Sequence, residues 1–276
     1  MSYTGLTYIM TEYCRRWEHP RILEIGVDRG QTALPLISNL LQHTQKFKYL
    51  GVDIRNEPVL HVQLDQLYGA KFPHPPRVSF LPEEEWNVCY LFETNSLDVL
   101  PGMCLDPTVK FDLVLLDGDH NYATVKQELD HLKQLTHPLS LIVCDDYHGR
   151  HAGKDSYYRD YDSHKDLQHL HKDLQSEEGK AGVNHAIDDF LAENPAWHKT
   201  DMHLGSPENG FPMINVEPVI LTQKLRIDLS LDTVNTPKEW NETEVTQWVS
   251  RLNHSPGNLA EISFQFLDAD GTLKSL

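Results

Sequence analysis

Arg21-Ile22-Leu23-Glu24-Ile25-Gly26-Val27-Asp28-Arg29-Gly30 joins a short apolar run to two glycines, with a helical pattern starting near Gln31. The run has the length of a strand buried on both faces. Glycines between a strand and a helix let the backbone approach a ligand closely. The turn is not GxGxxG, which weakens a dinucleotide reading. Glu24 stands near the carboxyl end of the strand, where its charge repels a pyrophosphate but suits a cationic amino-acid group.

Similar runs recur at Tyr49–Asp53, Val88–Phe92, Phe111–Leu116 and Leu139–Cys144. Helical patterns fall between them. Val125, Leu129 and Leu132 repeat at i, i+4, i+7, with Lys126, Glu128, Asp130 and Lys133 on other faces. Strand, helix, strand in succession predicts right-handed crossovers and a doubly wound, parallel α/β sheet. A further helix is predicted over Val183–Leu191, stopped by Pro195. Trp197–Met202 and Met213–Thr222 read as strands closing the sheet, the second broken at Pro218, which cannot donate to a ladder.

Two stretches lie outside this alternation. Residues 148–182 are polar and crowded with Asp, His, Lys and Tyr, the composition of a lid-like insertion or of a solvated excursion. Residues 223–276 read as a small α+β appendage. Ile227–Leu231 and Ile262–Leu267 alternate, Thr236-Pro237-Lys238-Glu239 is a helix start, and Asp268-Ala269-Asp270-Gly271 is a turn. No chemistry is visible there; a packing role or a homo-oligomer contact is the expectation.

Composition narrows the partners. The chain has 276 residues, 41 acidic and 24 basic, for a formal charge of −17. No dense basic run exists to neutralise phosphates, so neither nucleic acid nor an anionic membrane surface is expected. No apolar run approaches the ~20 residues of a membrane span. The N-terminal stretch lacks the pattern of a signal peptide. A cytoplasmic location is therefore the default. The four cysteines form no CxxC pair, and Cys89 and Cys144 sit in apolar runs as core residues. Most of the sixteen histidines read as surface.

The polar residues after each strand carry the chemistry. Asp53 ends the second strand, where an acid accepts hydrogen bonds from ribose hydroxyls. Thr94-Asn95-Ser96-Leu97 follows the third; Asn95 there serves an adenine edge or caps a helix. Leu115-Leu116-Asp117-Gly118-Asp119-His120 closes the fourth strand and Val143-Cys144-Asp145-Asp146-Tyr147 the fifth. If these strands are neighbours, four carboxylates converge. Like charges that close raise a pKa or recruit a cation, and oxygen-rich sites suit Mg²⁺ or Ca²⁺. The bland alternative is that two of them cap helices.

Taken in order, the Glu24–Gly30 turn, Asp53, Asn95-Ser96-Leu97-Asp98-Val99-Leu100-Pro101, Asp117-Gly118-Asp119-His120-Asn121-Tyr122 and Asp145-Asp146-Tyr147 resemble a class I S-adenosylmethionine-dependent methyltransferase. Within that family the likeness is to the branch containing macrocin O-methyltransferase and related sugar and antibiotic O-methyltransferases. It covers roughly residues 20–222. The resemblance implies a Rossmann-like, seven-stranded sheet with an antiparallel last strand, and a methyltransferase domain over residues 1–222. It implies that Glu24, Gly26 and Gly30 line the methionine end of the cofactor. Asp53 would hold the ribose, Asn95 would lie at the adenine, and Ser96 would also line the cofactor site. Asp117, Asp145 and Asp146 match metal-ligand positions for Mg²⁺, with Asp117 also at the cofactor edge. Asp119 or His120 matches the general base. The implied reaction is methylation of a small-molecule hydroxyl. A metal-independent N-methyltransferase, a nicotinamide-dependent oxidoreductase and a non-catalytic nucleoside-binding protein are the rivals.

Overall fold

The computed structural model describes residues 3–43, 46–55, 57–68, 86–149, 151–157, 167, 174–201, 219–223, 265–267 and 273–275. The chain divides into two compact units, Met1–Lys224 and Leu225–Leu276.

In the first unit the apolar runs are strands β1 (Arg21–Ile25), β2 (Lys48–Asp53), β3 (Val88–Glu93), β4 (Leu113–Leu116) and β5 (Leu141–Cys144). Two more, β6 (Trp197–Asp201) and β7 (Val219–Gln223), complete a seven-stranded sheet in the order β3-β2-β1-β4-β5-β7-β6. Pairing is parallel from β3 across to β5, and β7 runs antiparallel to both β5 and β6. β7 begins one residue after Pro218. The predicted stretch 213–218 before it lies outside the described residues.

The helices are α1 (Tyr3–Cys14), α2 (Ala33–His43), α3 (Pro58–Tyr68), α4 (Ser96–Cys104), α5 (Tyr122–Leu135) and α6 (Gly182–Glu193). Helices α2, α5 and α6 each bury a helical stripe. In α2 it is Ala33, Leu36, Ile37 and Leu40; in α5 it includes Val125, Leu129 and Leu132; in α6 it is Val183, Ala186, Ile187 and Phe190. One sheet face carries Leu23, Ile25, Leu50, Val52, Tyr90, Val114, Leu116, Ile142 and Cys144. With α4, α5 and α6 they form a single apolar cluster. Burial on both faces explains why the strands read as continuous apolar runs rather than alternating ones. Cys89 and Cys144 are buried free thiols.

The strand order reverses direction beside β1. β1 runs to β2 on one side and to β4 on the other, so the loops after β1 and β4 diverge to opposite sheet faces. A crevice opens at the carboxyl edge at such a switch point. In the second unit β8 (Gln265–Leu267) pairs antiparallel with β9 (Leu273–Ser275). The strand predicted over Ile227–Leu231, the helix start at Thr236 and the turn at Asp268–Gly271 lie outside the described residues. Among the described residues no helix is long and apolar enough to cross a membrane.

Candidate active site

The crevice is a cleft of about 260 Å³. Its walls are Ile25, Gly26 and Asp28 after β1, Val52 to Arg55 and Glu57 after β2, Thr94 to Ser96 after β3, Asp117 to Asp119 after β4, and Leu167 from the polar insertion. Of the sequence-predicted residues, Gly26, Asp53, Asn95, Ser96, Asp117 and Asp119 line it. Glu24, Gly30, His120, Asp145 and Asp146 are not among its walls.

Gly26 is required by contact. Its φ is +88°, and a Cβ there would stand 2.0 Å from the Asp117 carbonyl oxygen. The β1 turn and the end of β4 thus touch backbone to backbone. Asp53 then fastens the turn. Its Oδ2 accepts from Val27 N at 2.7 Å and Asp28 N at 2.8 Å, and its Oδ1 accepts from Arg55 N at 2.9 Å. The carboxylate predicted to hold a ribose is therefore also the anchor of the loop above it. Gly30 serves packing: with φ +75°, a Cβ would meet Leu60 at 2.5 Å.

Glu24, on β1, is not among the cleft's walls. It is 1% exposed. Tyr49 Oη, on the neighbouring strand, donates to its Oε2 at 2.7 Å. Burial pushes the Glu24 carboxyl up to about 8. The tyrosine hydrogen bond opposes that shift and the Asp53 charge adds to it.

Asn95 is the N-cap of α4; its Oδ1 accepts from Leu97 N at 3.0 Å. The capping role weighed for it is present, and the side chain also faces the cleft. Ser96 Oγ donates to Glu128 Oε1 on α5, a residue fully buried. Burial pushes Glu128 up to about 8, against the Ser96 hydrogen bond. The helical periodicity had placed Glu128 off the apolar face.

The β4 and β5 ends are neighbours, and their acids sort into three arrangements. Asp119 steadies the start of α5: Oδ1 accepts from Asn121 Nδ2 at 2.6 Å, and Oδ2 accepts from Thr124 Oγ1. Asp117, with 21% of its side chain exposed, is hydrogen-bonded to Asp145. Burial first, and then Asp145, push the Asp117 carboxyl well above the usual range. Asp146 is 2% exposed and sits at a left-handed φ of +61°. Its Oδ2 faces two imidazoles, His151 Nε2 at 3.7 Å and His120 Nδ1 at 4.0 Å. His120 turns its other nitrogen, Nε2, toward Asp117 Oδ1 at 3.9 Å. The two rings stack, 4.7 Å between centroids and 5° from parallel.

Mg²⁺ asks for a shell of oxygens from ionised carboxylates and water. Asp117 and Asp145 lie against each other at the ends of β4 and β5, while the Oδ2 of Asp146 faces the histidines. Among the described residues, His120, Asp146 and His151 bring one potential metal-ligating atom each to within 4.8 Å of one another. Of the three acids matched to Mg²⁺, Asp146 alone belongs to this trio. His151 was missed because it lies in the polar insertion among many histidines; its place five residues after Asp146, across Gly149, was the available signal.

Residues 23–147 match a family model described as a methyltransferase domain. No curated protein matches the chain in sequence. Among solved structures it is similar to an O-methyltransferase from Bacillus cereus in complex with SAH, at 11% identity and TM-score 0.45 over 80% of this chain and 78% of that one. It is also similar to TomG from Streptomyces achromogenes, an O-methyltransferase involved in tomaymycin synthesis, in complex with SAM, at 16% identity and TM-score 0.45 over 79% and 77%. Human methyltransferase-like protein 13 in complex with SAH is a third likeness, at 12% identity and TM-score 0.42 over 94% and 93%.

Proposed function

We propose that this protein, whose residues 23–147 match a methyltransferase domain, transfers the methyl group of S-adenosylmethionine to a hydroxyl of a small-molecule acceptor. The observation that carries the reading is the cleft, which lies at the switch point of the sheet inside the matched segment and collects Gly26, Asp53, Asn95 and Asp117 on its walls. Asp53 lies where ribose hydroxyls would donate to it. Asn95, its Oδ1 occupied by the helix cap, offers its amide N–H groups to the nitrogen acceptors of an adenine ring. Gly26 lets the β1 turn close against the Asp117 backbone at the amino-acid end of the cleft.

The sulfonium methyl is already activated, so the protein need not supply a nucleophile. A lone pair on the acceptor oxygen attacks the methyl carbon, the C–S electrons return to sulfur, and S-adenosylhomocysteine leaves. The protein's task is to hold oxygen, carbon and sulfur in line. The hydroxyl proton passes to the corner formed by Asp117 and His120. Asp119, the other candidate, has both oxygens engaged at the start of α5. Leu167 supplies an apolar wall from the insertion, which supports a covering role for residues 148–182. The net charge of −17 argues against a nucleic-acid acceptor.

Isothermal titration of the full chain with S-adenosylhomocysteine and, separately, with NADH tests the cofactor. One-to-one binding of the first and none of the second is expected. Binding of NADH alone, or of neither by folded protein, overturns the reading.

A further inference from the structure

We propose that His120, Asp146 and His151 form a site for a divalent transition metal of the zinc type, distinct in donor set and ligand preference from an all-carboxylate Mg²⁺ site. The site borders the cleft, but the argument rests on donor geometry and not on the transferase reading.

Asp146 Oδ2 is the shared apex, 3.7 Å from His151 Nε2 and 4.0 Å from His120 Nδ1, and one ligand atom from each of the three lies within 4.8 Å of the others. Ligand atoms around tetrahedral zinc stand about 3.3 Å apart, given bonds of about 2.0–2.1 Å. Closing the trio on an ion therefore asks for shifts of roughly an ångström or less. An ion must lie in the plane of every imidazole that binds it. Ligation thus requires the two stacked rings to tilt out of parallel. Two imidazole nitrogens and one carboxylate oxygen suit zinc, cobalt, nickel or iron far better than Mg²⁺.

The backbone holds the three in place. Gly149 has no Cβ where one would stand 2.0 Å from Asp146 Oδ1. The His151 carbonyl accepts from Val183 N at the start of α6, and Gly153 N donates to Asn184 Oδ1 at 2.7 Å. With Nδ1 on the ion, His120 directs its Nε2–H to Asp117, as a carboxylate orients many metal-bound histidines. His120 is then a ligand, and Asp117 is the member of the corner that receives the acceptor's proton.

The test uses the full chain, stripped with chelator and dialysed. Zn²⁺ and Mg²⁺ are titrated separately by calorimetry, and Co²⁺ by its visible absorption. One Zn²⁺ per chain, bound at least about 100-fold more tightly than Mg²⁺, is expected. A ligand-field band for Co²⁺ should disappear when Zn²⁺ is added. His151→Gln should weaken Zn²⁺ by about 30-fold or more, with Tm and S-adenosylhomocysteine affinity unchanged. His43→Gln, on the exposed end of α2, should leave Zn²⁺ affinity as it is. Equal affinity for Zn²⁺ and Mg²⁺, no zinc binding, or full affinity in both His151→Gln and His120→Gln would overturn the proposal. A protein that binds zinc but not S-adenosylhomocysteine would keep this site and end the transferase reading instead.

Discussion

The carboxyl edge of the sheet has two halves that use the same residue type in opposite ways. After β1 and β2, the acid Asp53 is surrounded by backbone N–H groups, three of which donate to it. After β4 and β5, the acids meet side chains: Asp117 meets Asp145, and Asp146 meets two imidazoles. Amide donors turn a carboxylate into scaffold, because they satisfy its charge in place and fix the loop that supplies them. Titratable neighbours leave it reactive, since its charge state and contacts change with a proton or an ion. An acid stands at or just after the ends of β2, β4 and β5; the partners decide what it does.

Exchanging the same atom in each half gives the largest contrast. Asp53→Asn keeps the size but replaces an acceptor oxygen by an NH₂ group that opposes a backbone N–H. Its loss should cost about 2–3 kcal/mol, the scale of charge-assisted hydrogen bonds. Cofactor affinity should fall with it, because the β1 turn is released. Asp146→Asn removes a charge that adds to the crowding of Asp117, and asparagine tolerates the left-handed φ. Its stability should stay within about 0.5 kcal/mol of the parent or rise. Urea unfolding of metal-free protein checks both. Equal losses in the two variants would erase the distinction between scaffold and reactive acid.

Glu24 complicates the comparison, being an acid of the first half that is buried against a side chain. Its carboxyl stands near 8 in the folded protein against an ordinary value of 4.5. Between those two pH values the folded chain holds the proton and the unfolded chain has lost it. Stability from this group is therefore full below about pH 4.5 and is lost as pH rises to about 8. Glu128 has the same window, with burial again the cause. Glu24→Gln and Glu128→Gln should each flatten the fall in unfolding free energy between pH 5 and 8. The expected size is about 1–2 kcal/mol per site, after allowance for relaxation around a buried charge. Curves parallel to the parent over that range would show that neither carboxyl is held protonated by the fold.

How far this was legible follows from where the information sits. β1 shows the bounds of its apolar run, since a strand covered on both faces must be apolar throughout. β5 starts at Leu141 and not at Leu139, because Ser140 N donates to the His137 carbonyl and closes a turn that leaves Leu139 about half exposed. β4 starts at Leu113: Asp112 spends its carboxylate on Arg21 N and His137. α1 was not visible as a helix, because Thr7 and Thr11 are buried on it; Thr11 Oγ1 donates to the Thr7 carbonyl and accepts from Asn39 Nδ2 on α2. The meeting of β4 and β5 acids followed from the alternation of strands and helices. Which acid faces which partner did not, since that depends on the left-handed backbone of Asp146 and on the turn that returns His151 to it. The place of Glu24 along β1 was visible in the sequence; its burial against Tyr49 was not, since that depends on which residue of β2 stands beside it.

The smallest effect comes from Asn95, where scaffold and ligand roles share one side chain. Its Oδ1 caps α4 at Leu97 N, while the amide nitrogen remains for a ligand. Asn95→Asp keeps an oxygen for the cap and adds a charge that the helix N-terminus favours, so stability should hold within about 0.5 kcal/mol. Asn95→Ala removes the cap and should cost about 1 kcal/mol. Both variants lose the amide donor. Both should therefore weaken S-adenosylhomocysteine by a similar factor, about three- to tenfold for one neutral hydrogen bond, although they differ in stability. That dissociation of binding from folding is what a shared side chain requires. If affinity instead tracked Tm across the two variants, Asn95 would act on the cofactor only through the helix it starts, and this position would join Asp53 as scaffold.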